Sequence, residues 1–392
     1  MRAVALLTVA LIPVLLEGCK SCSDQQIVNK EKPFADEVPA PHDIGSWLSM
    51  RVTDDGKPAV AYYDRTSDAL GYAVATVDGD EVTWATEEVD SYPDEDGLNP
   101  GDAGKYASLA IASDGTAWVG YQDTTNGTLK YATRTPSGGW TKAVADIGGG
   151  AASDAGYWAS VAIDGSGNPV IAHYDHGRGD LRVARWNGTA FAGTVVYEGT
   201  DYVSSDPEVP TATGDAGEYV KILVGSDGTE YIAFYDRAWG ALRLASGGAS
   251  GYSFEVVDPG TSGGGANVGQ WPDMVLDGDT LSIAYQDVTN QDLKLATGRP
   301  GSFTVETVDT ADYVGADSAI YTTGAGVSVL YFDGVQNDMR MARQRDGAWV
   351  SEAVTGTGAA SGYHNETVVA GGVRYAACYD YTNRSIWFSA LP

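Results

Sequence analysis

The stretch YYDRTSDALGYA, from Tyr62 to Ala73, decides the fold of this chain. Apolar and polar letters alternate on both sides of a turn-forming centre, which predicts a strand, a tight turn and a second strand. Nearly the same twelve residues return six more times without a gap: YQDTTNGTLKYA from Tyr121, HYDHGRGDLRVA from His173, FYDRAWGALRLA from Phe234, YQDVTNQDLKLA from Tyr285, YFDGVQNDMRMA from Tyr331 and CYDYTNRSIWFS from Cys378. A unit of about 50 residues that recurs in this way indicates a repeat architecture.

Each unit has the pattern of four strands, A to D. Strand A follows a Gly and an aromatic residue, as in GKYASLAIA from Gly104, and strand B ends in the Tyr-x-Asp-like signature. Strand C is LKYA or a variant, and strand D ends near Val-Asp, as in SFTVETVD from Ser302. Seven such units predict an all-β, seven-bladed β-propeller of four-stranded antiparallel blades.

The last unit provides a prediction of how the ring closes. It starts at Gly362 and reaches Pro392 after only three strands, whereas KPFADEV, residues 32–38, has the pattern of a strand D with no preceding A, B or C. We therefore expect this N-terminal strand to complete the last blade, so that residues 32–392 form one propeller domain.

The units resemble a widespread tandem repeat of secreted bacterial and archaeal proteins, written loosely as G-x-Y-x-S-L-A…G-N-P-x-I-x-Y-Y-D…L-K-Y-A…W…V-D. The resemblance rests on segments such as GYWASVAID from Gly156 and GSGNP from Gly165, and it covers residues 32–392. It implies the propeller fold but little about activity, because that repeat family is largely uncharacterised.

The N-terminus has the features of an export signal. Arg2 precedes an apolar run that ends at Leu16, too short to span a bilayer comfortably. Leu16-Glu17-Gly18-Cys19 resembles the lipobox of bacterial lipoproteins, although Glu17 departs from the usual small residue. The sequence thus predicts a signal peptide over 1–18, a lipidated Cys19 and a polar tether over 19–31. This would anchor the protein to the bacterial outer membrane, on the periplasmic or the outer side; a plain secretory peptide is the alternative.

The charge of the chain restricts its partners. The formal net charge is −29 at pH 7 and the pI is about 4.2, so the surface repels nucleic acid and anionic lipid. The cysteines do not form a disulfide framework: after Cys19 only Cys22 and Cys378 remain, and Cys378 occupies a slot that other units fill with Tyr, His or Phe.

Two sets of residues are expected on one face of the ring, where strand A starts and the B–C turn lies. At the start of strand A, a carboxylate stands two residues before a Gly and an aromatic residue stands two after it. We predict that these bind a ligand: Asp43, Asp102, Asp154, Asp215, Trp47, Tyr106, Trp158, Tyr219 and Trp271. The sixth and seventh units break the pattern with Asp317 and His364.

The aspartates that close strand B form the second set. Asp64, Asp123 and Asp175 are candidate ligands for Ca²⁺, which takes six to eight oxygen atoms. The alternative is structural, because an Asp before Thr-Asn can cap the amides of its own turn. A basic residue seven positions later, such as Lys130, could pair with it, and His42 and His364 could meet as a further metal site.

Function is argued from the sites, because a propeller is shared by many activities. The chain contains no H-E-x-x-H or P-loop motif, and sequence alone cannot select a catalytic pair among 53 acidic residues. We therefore predict a surface-anchored, non-catalytic and monomeric binding or scaffold propeller that recognises a glycan or an envelope protein. A glycoside hydrolase or polysaccharide lyase is the alternative. The acidic connections around Asp94 and Asp206 are candidate partner contacts.

Overall fold

The computed structural model describes residues 42–92, 101–198, 215–259, 267–356 and 359–391. The described residues form strands and turns, and none of them is helical. It follows that this part of the chain has no helix long and apolar enough to cross a membrane. The signal peptide, Cys19, Cys22, the tether, the strand predicted at 32–38 and the acidic loops around Asp94 and Asp206 lie outside the described residues.

Within the described ranges, 27 strands pair in chain order into seven antiparallel sheets. The first three blades contain β1 Ile44–Val52, β2 Pro58–Asp64, β3 Ala69–Asp78 and β4 Glu81–Asp90; β5 Ala103–Ile111, β6 Ala117–Asp123, β7 Thr128–Arg134 and β8 Thr141–Asp146; and β9 Ala155–Ile163, β10 Pro169–Asp175, β11 Asp180–Trp186 and β12 Phe191–Tyr197. The next two contain β13 Ala216–Val224, β14 Glu230–Asp236, β15 Ala241–Gly248 and β16 Gly251–Asp258; and β17 Val268–Asp277, β18 Thr280–Asp287, β19 Asp292–Arg299 and β20 Ser302–Asp309. The last two contain β21 Val314–Thr323, β22 Gly326–Asp333, β23 Asp338–Arg345 and β24 Ala348–Ala353; and β25 Ser361–Ala370, β26 Val373–Asp380 and β27 Ser385–Ala390.

The first strand of every blade is the innermost, and residues from all seven of these strands line one cavity on the ring axis. The predicted all-β, seven-bladed propeller is therefore confirmed. The seventh sheet has three strands among the described residues.

A repeated backbone hydrogen bond joins each blade to the next. The amide that opens an inner strand donates to a carbonyl in the B–C turn of the preceding blade, as Ala103 does to Asp68 at 3.2 Å. The same bond joins Ile44 of the first blade to Arg384 of the seventh at 3.1 Å. The ring is thus closed by the bond that links its internal neighbours.

Inter-blade packing explains the Gly at the start of each strand A. Gly104 has a φ of +118°, and a Cβ there would lie 2.7 Å from the backbone nitrogen of Leu70 in the preceding blade. Only Gly allows this approach. Large side chains fill the space between the sheets, among them the fully buried Leu70, Tyr72 and Tyr121. Burial of each contributes about 1.5–3 kcal/mol.

Candidate functional site

The five aromatic residues predicted as a binding set converge on the ring axis. Together with His364 they form what we call the aromatic collar: Trp47, Tyr106, Trp158, Tyr219, Trp271 and His364. Successive ring centroids lie 5.0, 5.4, 4.8 and 4.6 Å apart from Trp47 to Trp271. His364 closes the circle at 6.5 Å from Trp271 and 5.8 Å from Trp47.

Asp317 takes the collar position in the sixth blade, where the aromatic residue is absent. Its Oδ1 lies 3.3 Å from Nδ1 of His364. The two departures from the repeat that the sequence showed are therefore neighbours, and they form one polar segment in an otherwise aromatic circle.

The backbone at each collar position is left-handed. The φ angles are +48° at Trp47 and Trp158, +50° at Asp317, and +54° or +55° at the other four positions. Bulky residues rarely adopt this conformation, which costs about 1–2 kcal/mol per residue. Each lies at a β-bulge in the A–B pairing, such as the shift between Ser46 and Ser49. A bulge re-aims a side chain, and here it directs seven of them to the axis.

A second layer of residues lies two positions further along the inner strands. In the first three blades it is Ser49, Ser108 and Ser160, and each hydroxyl accepts a hydrogen bond from an amide of the next inner strand at 3.0–3.1 Å. Blades four, five and seven carry Lys221, Asp273 and Glu366 instead. Of these, Lys221 and Glu366 line the same axial cavity, of about 120 Å³.

The charged residues of this layer form a network. Lys221 Nζ lies 3.5 Å from Asp273 and 3.8 Å from Glu366, and Arg51 lies 3.1 Å from Glu366. Enclosure lowers the pKa of Lys221, but the charges of Asp273 and Glu366 outweigh it and the pKa lies above its usual value. The sequence pattern did not predict this network. The sequence signal for it was that three later units replace the Ser at this position of the repeat by a charged residue.

The aspartates at the start of strand A take part in inter-blade hydrogen bonds. Asp102 accepts from the hydroxyl of Tyr63 at 2.9 Å, and Asp43 accepts from Tyr379 at 2.5 Å. Tyr174 donates to Asp215, and the Gln122 amide donates to Asp154 at 3.3 Å. All four carboxylates lie on the collar face, but they are spread around it, because each lies at a different blade junction.

Two of the three candidate aspartates that close strand B cap the amides of their own turns. Oδ1 of Asp64 accepts from the amide of Thr66 at 2.8 Å, and Oδ1 of Asp123 accepts from that of Asn126 at 3.2 Å. Asp175 instead accepts from the amides of Gly149 and Asp154, which lie in the connection between the second and third blades. In the described part of the chain, no three His, Cys, Asp or Glu side chains are grouped to hold a metal ion.

In the second and fifth blades, the basic residue of strand C has a second acidic partner besides the strand-B aspartate. Lys130 lies 3.9 Å from Asp123 but hydrogen-bonds to Asp90, at the end of strand D in the preceding blade. Asp90 also accepts from Tyr121 at 2.7 Å. Lys294 and Tyr285 bind Asp258 in the same way. In these two blades the Tyr, Lys and Val-Asp of the repeat therefore form one inter-blade cluster.

His173 occupies the Tyr position of this cluster in the third blade. It is fully buried and lies 3.1 Å from Asp146, which also accepts from Arg182 at 2.9 Å. Burial raises the pKa of Asp146, but the bonds from His173 and Arg182 outweigh it and hold the pKa well below its usual range. His173 thus has the structural role that its slot predicts.

One acidic residue on the collar face has an unusual environment. Glu218 is only 4% exposed, and its Oε1 lies 3.2 Å from Arg237. Burial raises the pKa of Glu218 to about 7, against the influence of Arg237. A cleft of about 580 Å³ lies between the third and fourth blades and includes Tyr174, His176 and Asp215. Arg237 lies 3.6 Å from Asp215, which connects the cleft to Glu218.

No known protein family and no curated protein matches the sequence. Among solved structures, polysaccharide lyase Uly1 superposes with a TM-score of 0.53 at 10% identity, over 90% of each chain. A mutant of AofleA from Arthrobotrys oligospora gives 0.48 at 13% identity, over 81% of this chain and 91% of that one. Trypanosoma rangeli sialidase gives 0.44 at 11% identity, over 90% of this chain and 54% of the sialidase. The chain thus spans about half the length of that sialidase. The likeness to Uly1 shows a shared fold.

Proposed function

We propose that this protein is a non-catalytic binding propeller whose collar face recognises a glycan. We further propose that it is a monomer held at the outer membrane through lipidated Cys19. The observation that carries the proposal is the collar itself: six aromatic rings and one carboxylate, held by strained backbone around a single axial mouth. Strain of this kind gathers at functional sites.

The chemistry of the collar suits a sugar. Aromatic faces provide apolar surface for a pyranose ring, and Asp317 and His364 provide polar groups that orient its hydroxyls. The cavity of about 120 Å³ is smaller than a typical ligand pocket, so we expect it to take one end of a ligand while the rest lies on the rim. The net charge of −29 disfavours a polyanion.

A glycan array on the purified protein tests the proposal. We expect binding to neutral glycans and a loss of at least about tenfold in affinity for Trp158→Ala or Trp271→Ala. Trp239→Ala is the control, because Trp239 is 52% exposed in a B–C turn on the same face but outside the collar. Melting temperatures show that the variants fold. Absence of signal on every glycan, with capture of an envelope protein, would favour the protein partner.

Calcium remains part of the proposal for Asp64, Asp123 and Asp175, and it has its own measurement. The array is repeated with EDTA and with added Ca²⁺. If these aspartates bind the ion, EDTA weakens binding in the wild type and has no further effect in Asp123→Asn. Equal signals under both conditions would leave the three residues with only their structural role, which is to accept hydrogen bonds from backbone amides.

An enzyme is the second candidate, favoured by Glu218. A carboxyl group with a pKa near 7 beside a cleft is suited to general acid–base catalysis. Turnover of a polysaccharide, with loss of that activity in Glu218→Gln but normal binding, would place the protein among carbohydrate-active enzymes.

A further inference from the structure

The junction between the sixth and seventh blades lacks a side-chain contact that three other junctions make. At those three, Tyr63, Tyr174 or Tyr379 donates to the Asp that precedes the next inner strand. Here the two positions are Phe332 and Ala360, so both the hydroxyl and the carboxylate are missing. The loss is coordinated, because either change alone would leave the other polar group without its partner.

The backbone at this junction keeps the geometry of the others. Ala360 N–H donates to Thr382 Oγ1 at 2.7 Å, as Asp43 N–H does to Thr66 Oγ1 at 2.8 Å. The amide of Tyr381 donates to the carbonyl of Ala360 at 2.8 Å. The departure is therefore confined to the side chains, and it changes the chemistry of the surface without changing its shape.

Aromatic side chains occupy this surface, which we call the blade 6–7 patch: Tyr313, Phe332, Tyr363 and Tyr381. Ring centroids lie 4.4 Å apart for Phe332 and Tyr363 and 6.4 Å apart for Tyr363 and Tyr381. Tyr313 and Tyr381 are each 59% exposed. Gly334 lies against the patch, since a Cβ there would be 3.2 Å from Tyr313 and 3.5 Å from Phe332.

Polar groups stand at the inner end of the patch, where Tyr363 is followed by His364 in the collar. Besides the Asp317–His364 pair, the Asn365 amide nitrogen donates to the carbonyl of Asp317 at 2.9 Å. That bond fixes the amide, and its Oδ1 is buried without a hydrogen-bond donor in the described part of the chain. Asn365 is 5% exposed and lines the axial cavity. A buried acceptor without a donor is costly, so this position favours a ligand that brings a hydroxyl.

We propose that the blade 6–7 patch and the polar groups beside it form a subsite for a neutral hexopyranose chain. This inference rests on the proposed function and states where the glycan lies. One sugar places hydroxyls on Asp317, His364 and Asn365 at the mouth, and the chain then runs outward over Tyr363 and Tyr381. Asp317 and the acidic surface disfavour a uronic acid in the same place.

Isothermal titration with cellohexaose, maltohexaose, mannohexaose and, as the acidic comparator, hexagalacturonate tests the subsite. We expect one neutral hexasaccharide to bind and hexagalacturonate to bind less. Tyr381→Ala and Tyr363→Ala should each weaken that binding about tenfold or more. Asn365→Gln, which keeps both the acceptor and the amide donor, should reduce it less than Asn365→Leu. Trp239→Ala is the matched control for an exposed aromatic residue on the collar face and should bind as the wild type does.

The outcomes separate this inference from the proposed function. If Trp158→Ala abolishes binding while Tyr381→Ala and Tyr363→Ala bind normally, the subsite is overturned and the collar stands. If the two Tyr variants lose binding and Trp158→Ala does not, the subsite stands and the collar proposal fails. If no hexasaccharide binds the wild type, or only hexagalacturonate does, the inference is overturned. A variant that fails to melt cooperatively is replaced by Tyr381→Leu or Tyr363→Leu, which keeps apolar volume but removes the ring.

Discussion

The hydroxyl of Tyr379 donates a 2.5 Å hydrogen bond to the carboxylate of Asp43, 336 residues earlier in the chain. It is the same contact that joins Tyr63 to Asp102 at 2.9 Å between the first two blades. The seventh and first blades are therefore joined by the side-chain bond, as well as the backbone bond, that links internal neighbours.

Tyr379→Phe should destabilise the fold by about 1–2 kcal/mol, because it removes the donor and leaves Asp43 without it. Urea unfolding measures the change. Tyr381→Phe is the control, since that side chain is 59% exposed, and it should stay within about 0.5 kcal/mol of the wild type. Equal stability of the two variants would show that the contact does not contribute to ring closure.

The junction between blades six and seven allows the opposite change. Phe332→Tyr combined with Ala360→Asp should install the missing bond and stabilise the protein by about 1 kcal/mol relative to the sum of the single changes. A double-mutant cycle in urea measures this coupling. If the patch binds sugar, the double variant should also bind the hexasaccharide less well. A coupling of zero would contradict our interpretation of the two slots.

At a collar position, we expect Gly to destabilise the protein less than Ala does, which reverses their usual order in a strand. Trp158 has a φ of +48°, where Gly is unstrained and Ala is not. Both variants lose the ring contacts, but Trp158→Gly should be about 1 kcal/mol more stable than Trp158→Ala. The comparison at Trp84, in the middle of strand β4, is the control and should favour Ala. Thermal melts decide the order, and a more stable Trp158→Ala would argue against backbone strain.

Glu218 predicts a pH-dependent stability. Its pKa of about 7 lies above the ordinary value of 4.5, so between these values the folded state binds a proton that the unfolded state has lost. The stabilisation is complete below pH 4.5 and is lost as the pH rises through 7. It amounts to about 2–3 kcal/mol over this range.

Glu218→Gln removes the titration while keeping the size of the side chain. The difference in unfolding free energy between wild type and this variant should therefore fall as the pH is raised from 4.5 to 7. Glu352→Gln serves as the control, because its side chain is 35% exposed. If the difference in unfolding free energy between the wild type and this variant did not change with pH, the elevated pKa would be contradicted.

Individual residues show how far the sequence alone could lead. Asp317 and His364 were recognisable as departures from the repeat, but their 3.3 Å contact depends on the curvature of the ring. Lys130 was expected to pair with Asp123 in its own hairpin and lies 3.9 Å from it, but its hydrogen bond goes to Asp90 of another blade. Periodicity specifies neighbours along a strand and across a turn. It does not specify contacts between sheets, because these depend on how the blades are rotated about the axis.

The sequence by itself determined the four-stranded unit, its seven copies and the face that carries the aromatic and acidic slots, because alternation and turn chemistry act over a few residues. Only the tertiary structure decided that the aromatic slots meet in one collar rather than forming a separate site on each blade. It also placed Lys221, Asp273 and Glu366 in one network beneath the collar. The physical reason is that seven bulged inner strands share one axis, so equivalent positions far apart in the chain point toward a single centre.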